Sequence, residues 1–218
     1  MSNSSYIIQM GNLNMSAGKP TGAQYSVSFT AGQTGAGLYS GSNYKVKSGF
    51  QYIYPFIGFA FSISSIEINF GTLSATNPVT RTNTLTVSNQ SAGGYMVTAF
   101  ENHPLLVPAT GTKIPDTTCD GGSCSESLAA AWTNPLTYGF GYRCDAITTN
   151  YCVSDFTNGT YYKQFADDSN SETAQTIMDS SVSGKNQQAE ITYKVNISAT
   201  QPAGQYSNVI TYIATPTF

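Results

Sequence analysis

The chain has 218 residues, of which 10% are charged, and its formal net charge at pH 7 is -3. Globular proteins usually have about 25% charged residues, and binding to nucleic acid or to an anionic membrane surface relies on basic patches that this charge balance does not favour. Disorder is excluded as well, because 15 Tyr and 11 Phe side chains can bury a large core. Low charge with many Ser, Thr and Tyr residues is typical of secreted β-proteins. We therefore expect an all-β extracellular protein with no nucleic-acid partner and no membrane insertion.

Residues 1 to 50 contain a repeat, in which Tyr6, Tyr25 and Tyr44 are spaced 19 residues apart. Each Tyr opens a short alternating run, and Gly-rich segments separate the runs. This pattern predicts three short strands with Gly-rich returns, as a β-meander or a few coils of a solenoid. Three such strands are marginal alone, so we expect this N-terminal β-repeat or arm, residues 1–54, to pack on the segment that follows.

The most apolar stretch of the chain is Phe50–Leu73. Large apolar residues alternate with small ones in 57–63, and a second alternation in a new phase follows in 66–70. Period-two alternation predicts a strand in each part, with a turn, a bulge or a crossing between sheets at Ser64 and Ser65. A strand this apolar cannot be left open, because an exposed edge templates aggregation. Whatever covers it is expected to be the core.

Residues 55–218 are predicted to form a β-sandwich of jelly-roll or Ig-like type, because short strands alternate with turn chemistry every 8 to 12 residues or so. Segments 82–89 and 95–102, joined by the turn at 91–94, are predicted to be a hairpin. Between about 110 and 155 lies a loop-rich insertion, in which 125–131 (SESLAAA) is expected to make one helical turn anchored by Trp132.

The C-terminal third is predicted to supply the remaining strands, which start with short aromatic ones at 138–144 and 158–165. Segment 189–199 alternates cleanly, so Lys194 and its polar neighbours should face away from the apolar side. This segment and 207–218 are predicted to form a second hairpin, whose last strand is buried on both faces.

All four cysteines, Cys119, Cys124, Cys144 and Cys152, lie in the insertion. Three connectivities are available to four cysteines, and sequence alone does not choose among them. We predict Cys119–Cys124 and Cys144–Cys152, which close two short loops. Zinc binding is disfavoured by the spacing and by the single histidine, and free thiols are the remaining alternative. Disulfides imply an oxidising compartment.

Catalytic chemistry has little support in this sequence. The single histidine, His103, precedes Pro104 in a predicted loop, and no G-x-S-x-G motif occurs. Several acidic residues could supply the two carboxylates that glycoside hydrolysis needs, but none of them lies in a recognisable motif. We therefore predict that the protein is not an enzyme and has no cofactor, with a secreted hydrolase as the third-ranked function. The candidate acids are Asp116, Asp120, Asp145, Asp155, Asp167, Asp168, Glu172 and Asp179.

Two segments place oxygen ligands close together and are candidates for Ca²⁺ binding. One contains Asp116 and Asp120, and the other contains Asp167, Asp168 and Asn170. Neither has the spacing of an EF-hand loop. Asp and Asn are also frequent in turns because their side chains bind the local backbone, and this is the favoured interpretation.

Aromatic residues in and after the Cys-rich region suggest a sugar-stacking platform. Such a platform would make the protein a carbohydrate-binding adhesin with a glycan partner, which is the second-ranked function. The favoured alternative is that these rings fill the core and shield the disulfides. The residues concerned are Trp132, Tyr138, Tyr142, Tyr151, Tyr161 and Tyr162. Asn-x-Ser/Thr triplets begin at five positions, but chance supplies several in so polar a chain, so they predict no glycosylation by themselves.

Several segments carry a resemblance: GNLNMSAGKPTG, FGTLSATNPVTRTNTLTVSN, CDGGSC and YKVNISATQPAGQYSNVITYIATPTF. They resemble predicted secreted surface proteins of uncultured bacteria. The layout is also similar, more loosely, to TasA-like and archaeal bundling-pilus subunits, in which an N-terminal strand of one subunit completes the sandwich of the next. The resemblance implies a cell-surface structural protein that binds copies of itself.

The expected function is therefore that of a non-enzymatic structural subunit of an extracellular filament or, alternatively, of a surface layer. The predicted assembly strand, which would pair with the sheet of a neighbouring subunit, consists of Tyr6, Ile7, Ile8, Gln9 and Met10. Tyr6, Ile8 and Met10 alternate with Ile7 and Gln9, and the Gly-rich arm that follows gives the backbone the freedom that such an exchange needs. The competing interpretation is that this strand pairs with 25–29 of the same chain.

Overall fold

The computed structural model of the chain describes residues 16–19, 22, 24, 29–31, 37–42, 45–49 and 58–217. The chain divides into two compact units, residues 1–56 and 57–218. Within the described ranges the regular structure is antiparallel strand, apart from one 3-10 helix at Asp168–Asn170. The prediction of an all-β fold is confirmed, and its assignment to a jelly roll or an Ig-like fold remains a prediction.

In the first unit, the described strands form two antiparallel pairs. The strands are β1 (Ser16–Gly18), β2 (Phe29–Ala31), β3 (Gly37–Ser40) and β4 (Lys45–Ser48), with β1 paired to β2 and β3 to β4. Strand β4 lies in a run predicted to be a strand, whereas β1 and β3 occupy segments expected to be Gly-rich returns. Strand β3 pairs with the very next strand across the short connection 41–44, so local pairing determines the structure there. The repeated tyrosines and the predicted assembly strand lie outside the described residues.

The second unit is built around two sheets. Its strands are β5 (Phe59–Ile63), β6 (Val79–Asn89), β7 (Tyr95–Glu101), β8 (Ala130–Ala131), β9 (Gly139–Ala146), β10 (Tyr161–Tyr162), β11 (Gln175–Ser180), β12 (Gly184–Asn196) and β13 (Ile210–Pro216). Sheet 1 has the order β5–β6–β12–β9, and sheet 2 has the order β11–β7–β13. Strands β8 and β10 form a separate short pair.

The hydrophobic core of this unit draws on both sheets. Alternate residues of the long strands are fully buried, as period-two alternation requires. Aromatic rings dominate the part of the core near β9, where Tyr142 stacks on Phe165 with ring centroids 4.0 Å apart. The buried residues supplied by the sheets include Leu85, Val87, Tyr95, Val97, Ala99, Phe140, Tyr142, Ile177, Met178, Ala189, Ile191, Tyr193 and Val195.

The predicted hairpin of β6 and β7 is wrong, because the two strands belong to different sheets. The turn at 91–94 carries the chain from sheet 1 to sheet 2. Gly94 makes this crossing with φ +84°, and a Cβ atom there would lie 1.7 Å from the Ser180 carbonyl oxygen. A glycine is therefore required, both for the left-handed backbone and for the close approach of the β11 end.

The second predicted hairpin is also wrong. Strand β12 pairs with β6 and β9, whereas β13 pairs with β7. The connection at 197–209 is longer than the two to five or so residues typical of hairpin loops, and it crosses between the sheets. Strand β13 is consequently a half-buried edge strand, and the expectation that both its faces are buried is not met.

Three further local predictions need correction. The strand predicted over 66–70 does not form, and Ile66 is 97% exposed. Strand geometry ends after β5, because the Asn83 side chain accepts from the Ser65 N–H at 3.1 Å and donates to the Ser65 carbonyl at 2.8 Å. The segment 125–131 makes no helical turn, since Ala130 and Ala131 pair with β10 instead. Of the strand predicted over 158–165, only β10 forms.

The polar residues of β12 face away from its apolar ones, as expected, but this polar face is buried too. The insertion between β7 and β9 covers it. Lys194 is 8% exposed, and its Nζ donates a 2.7 Å hydrogen bond to the Trp132 carbonyl and lies 4.3 Å from the centroid of the Trp132 ring. The Asn196 side chain donates to the carbonyls of Pro135 and Thr137. These polar groups anchor the insertion because each buried donor needs an acceptor.

Two disulfides stabilise the insertion and its surroundings, in the pairing expected from the sequence. Cys119 is bonded to Cys124 and Cys144 to Cys152. The first lies in a small second core with Trp132 and Tyr162, whose rings meet edge to face at 5.5 Å. The second ties β9 to a segment beside β11. Disulfides indicate an oxidising, extracellular-type environment.

The Cys144–Cys152 bond is predicted to stabilise the second unit. A loop this short is expected to contribute about 2 to 3 kcal/mol in the entropic model, so the C144A/C152A variant should melt roughly 5 to 10 °C lower. Calorimetry checks this, with I147A as the control, since Ile147 is an exposed residue of the same loop. Equal melting temperatures for wild type and the double variant would contradict the stabilising role.

Candidate assembly edge

One side of the sandwich is closed by covalent and backbone bonds. Cys152 and its neighbours run alongside β11, where the Val153 N–H donates to Ile177 O at 3.1 Å and the Asp179 N–H donates to Tyr151 O at 2.9 Å. Because Cys152 is also bonded to Cys144 of β9, the outer ends of both sheets are tied together on this side.

The outer edge of β9 is covered as well. Tyr142 and Lys163 exchange two backbone hydrogen bonds of 2.9 Å. Further along the strand, the Phe140 N–H donates to Pro115 O and the Thr117 N–H donates to Phe140 O, at 2.9 and 2.8 Å. The outward backbone groups of Phe140 and Tyr142 are therefore paired, so this part of the β9 edge is closed.

The opposite side of the sandwich is formed by β5 in sheet 1 and β13 in sheet 2. The strand orders place these two at the ends opposite β9 and β11. Within residues 58–217, no strand pairs with the outer edge of either. This side is therefore the candidate interaction surface.

The register shows which backbone groups of β5 face outward. The Gln90 N–H donates to Gly58 O, and the Ser64 N–H donates to Thr84 O, so even-numbered residues of β5 bond to β6. In an antiparallel pair the intervening residues direct both N–H and C=O away from the partner. Phe59, Phe61 and Ile63 thus present three donors and three acceptors along the open edge.

Strand β5 carries none of the features that usually protect an edge. It contains no charged residue, no proline and no bulge. The side chains of Phe59, Phe61 and Ile63 are half-buried against the core, while Ala60 and Ser62 expose small groups on the outer face. Proteins normally blunt an edge with Lys, Pro, a bulge or a covering segment.

Strand β13 differs, because proline lies on its open edge. The Asn102 N–H donates to Val209 O, and the Thr217 N–H donates to Gly94 O, so odd-numbered residues bond to β7 and Pro216 is among the outward-facing ones. Proline has no N–H to donate and is typical of edge strands that do not accept a partner. Strand β5 is therefore the better acceptor of the two.

The candidate sugar-stacking rings are mostly buried. Trp132 is 1% exposed and donates from Nε1 to the Thr137 carbonyl at 3.0 Å. Tyr142 and Tyr162 are buried too, and Tyr138, at 47%, is the most exposed ring of the set. Trp132 therefore cannot serve in a surface platform, and the structure does not bring these residues together as exposed rings.

The candidate calcium ligands bind the local backbone. The Asp120 carboxylate accepts from the Thr133 and Asn134 N–H groups, and Asp167 caps the 3-10 helix by accepting from the Ser169 N–H at 2.8 Å. Among the residues that the structure describes, no group of three His, Cys, Asp or Glu residues could hold a metal ion.

His103, Asp145 and Asp155 each have a separate partner, whereas Glu172 lies close enough to Asp116 to raise the pKa of that carboxyl. Asp145 pairs with Arg143, and Asp155 pairs with Lys163, both at 2.8 Å. Glu172 accepts from the Asp167 N–H, and Nδ1 of His103 lies 2.8 Å from the Pro104 carbonyl oxygen. Asp168 lies in the 3-10 helix and Asp179 in β11.

The structure brings Asp116 against Glu101, a residue not identified by the sequence analysis. Glu101 is fully buried at the end of β7, and Asn208 donates to its Oε2 at 2.6 Å. Burial and the neighbouring Asp116 carboxyl raise the pKa of Glu101 to about 10, and burial raises the pKa of Asp116 to about 6. Glu101 Oε1 and Asp116 Oδ1 are both buried without a hydrogen-bond donor among the described residues, so a proton kept on Glu101 would supply the donor that this pair lacks. The sequence does indicate that Glu101 is buried, because it occupies the next inward-facing position after Tyr95, Val97 and Ala99 in the period-two alternation.

No known family model matches the chain, and no curated protein or solved structure is significantly similar to it. The resemblance to surface and pilus proteins therefore remains a prediction. No helix within the described residues is long and apolar enough to span a membrane. The function must be argued from the geometry of the open edge.

The Glu101–Asp116 pair predicts that stability falls as pH rises. Folded Glu101 keeps a proton that the unfolded chain releases above about pH 4.5, so the free energy of unfolding should decrease between about pH 4.5 and 10. The slope has an upper limit of about 1.4 kcal/mol per pH unit for one proton. Denaturant unfolding at pH 5, 7 and 9 measures it.

The matched variants are E101Q, which cannot ionise, and E67Q, which changes an exposed residue. E101Q should flatten the pH dependence, and E67Q should leave it unchanged. Parallel profiles for E101Q and wild type would show that the pair does not hold the proton.

Proposed function

We propose that the protein is a non-enzymatic structural subunit of an extracellular filament at the cell surface, in which a strand from one copy is added to β5 of the next. The observation that carries the proposal is the unprotected edge of β5. Among residues 58–217 nothing pairs with its three outward-facing residues, which each present a donor and an acceptor, and its apolar side chains are only half-buried. Strand addition supplies both the pairing and the cover, because backbone hydrogen bonds give affinity and side-chain pockets give specificity.

The preferred donor is the segment 6–10 of another copy. Its residues alternate, so Tyr6, Ile8 and Met10 would extend the apolar face of Phe59, Phe61 and Ile63. Ile7 and Gln9 would then lie beside the small side chains of Ala60 and Ser62, which leave room for them. This complementarity supports a second copy of the chain as the partner.

The contact proposed is head-to-tail, because the donor and the acceptor are different surfaces. Such a contact builds an open filament unless its rotation closes a ring. The low charge is compatible with close association, since like-charged copies would repel one another. The disulfides stabilise the closed side and place the subunit in an oxidising environment.

Blocking the outward N–H of Phe61 is predicted to stop assembly. F61P removes this donor without removing a hydrogen bond to β6, whereas the matched F61A variant loses the same ring and keeps the N–H. F61P should therefore be monomeric in sedimentation, and F61A should still form polymers. Melting temperatures check that both variants fold.

A lysine on the same edge gives a second variant in case F61P is unstable. S62K places a charge on the outer face without changing the core and should also reduce assembly. If F61P and S62K both fold and polymerise like wild type, β5 is not the acceptor.

Deleting residues 1–14 is predicted to yield soluble monomers, because the truncated chain lacks the donor. A synthetic peptide of residues 4–14 should then bind the truncated protein, and the same peptide with Ile8→Asp should not, since the charge would enter the apolar face. Negative-stain microscopy and calorimetry measure the two effects. Normal polymers from the truncated chain would exclude this donor while leaving the F61P test of the acceptor intact.

A further inference from the structure

Three Asn-x-Ser/Thr triplets lie in the described residues, and the structure separates them sharply. Asn89 and Asn196 are each 1% exposed. The amide nitrogen of Asn89 donates to Ser91 O, and that of Asn196 donates to the Pro135 and Thr137 carbonyls. Neither nitrogen is accessible to an enzyme that acts on the folded protein.

Asn158 lies in a different environment. It belongs to four consecutive exposed residues, 157–160, in the loop before β10. Its Oδ1 accepts hydrogen bonds from the Thr160 N–H at 2.9 Å and from Thr160 Oγ1 at 2.6 Å. Among the described residues, its Nδ2 makes no hydrogen bond. The amide oxygen is thus held by Thr160, while the amide nitrogen belongs to an exposed residue and has no hydrogen bond within the described residues.

The chemistry of the triplet depends on this arrangement. A hydroxyl that donates to the amide oxygen fixes the side-chain orientation and makes the amide N–H more acidic, which helps a base to take the proton as the nitrogen reacts. Asn-x-Ser/Thr is the acceptor motif for N-glycosylation, which occurs in surface loops of secreted proteins. The two disulfides indicate an environment of that kind.

We propose that Asn158 is an N-glycosylation site, with an oligosaccharide on a lipid diphosphate as the donor. Nδ2 attacks the anomeric carbon of the first sugar, and a C–N bond forms as the C–O bond to the lipid diphosphate breaks. The lipid diphosphate leaves with the electron pair, and a base of the oligosaccharyltransferase takes the Nδ2 proton. No oxidation or reduction is involved.

The position of Asn158 is compatible with a bulky modification. The loop leads into β10, and the next residue after β10, Lys163, pairs with Tyr142 of β9. Strands β9 and β5 lie at opposite ends of sheet 1. A glycan on this loop therefore leaves the open edge of β5 accessible, and its presence does not depend on the proposed assembly.

The test is to incubate the purified, folded full-length protein with an oligosaccharyltransferase and a lipid-diphosphate-linked oligosaccharide, followed by peptide mapping by mass spectrometry. The peptide containing Asn158 should gain one glycan mass, and those containing Asn89 and Asn196 should remain unmodified. An unmodified Asn158 peptide, or glycans on Asn89 or Asn196 of the folded protein, would overturn the proposal.

Two matched variants separate the motif from general loop reactivity. T160A removes the hydroxyl and should abolish modification at Asn158, whereas T160S retains the hydroxyl and should preserve it. Position 160 is exposed, so neither change should unfold the protein, and circular dichroism verifies this. Equal modification of T160A and wild type would contradict the role assigned to the hydroxyl.

Discussion

The unequal treatment of the sheet edges is the constraint on which the interpretation of this molecule depends. Every backbone N–H and C=O of an edge strand needs water or a partner. On the β9 side, the segments around 115–117, 151–153 and 163 supply partners, and Cys144–Cys152 ties the two sheets together. On the β5 side, three residues with apolar side chains present their backbone groups outward. An open apolar edge of this kind is a ready template for pairing with another chain.

The rest of the second unit buries its side chains with few charged residues. Crossing connections at 90–94 and 197–209 alternate the chain between the sheets, so that long strands bury their alternate residues against one another. Several of the buried polar groups have specific partners. Lys194 binds the Trp132 carbonyl and lies over its ring, and Glu101 remains neutral against Asp116. Burial of an unpartnered charge would cost several kcal/mol, so these contacts fix the insertion in place.

Period-two alternation predicted most strands of the second unit, since it reports directly which side chains share a face. It did not predict which strands are neighbours. Strands β6 and β7 were expected to pair because a short Gly-containing turn joins them, yet they belong to different sheets. Alternation separated the polar face of β12 from its apolar face, but nothing in the local pattern around Lys194 reveals that a distant insertion covers the polar face. The disulfide pairing was predicted as the one that closes two short loops, although the sequence left three connectivities open. The open side appeared only when both strand orders were known.

Hydrogen exchange at the β5 edge tests the central claim most directly. The N–H groups of Phe59, Phe61 and Ile63 face away from β6, so in the monomer they should exchange quickly, while those of Ala60 and Ser62, which bond to β6, should be protected. In the assembled protein, strand addition predicts strong protection of all five. If Phe59, Phe61 and Ile63 exchange as fast in the polymer as in the monomer, assembly does not proceed through this edge and the account is wrong.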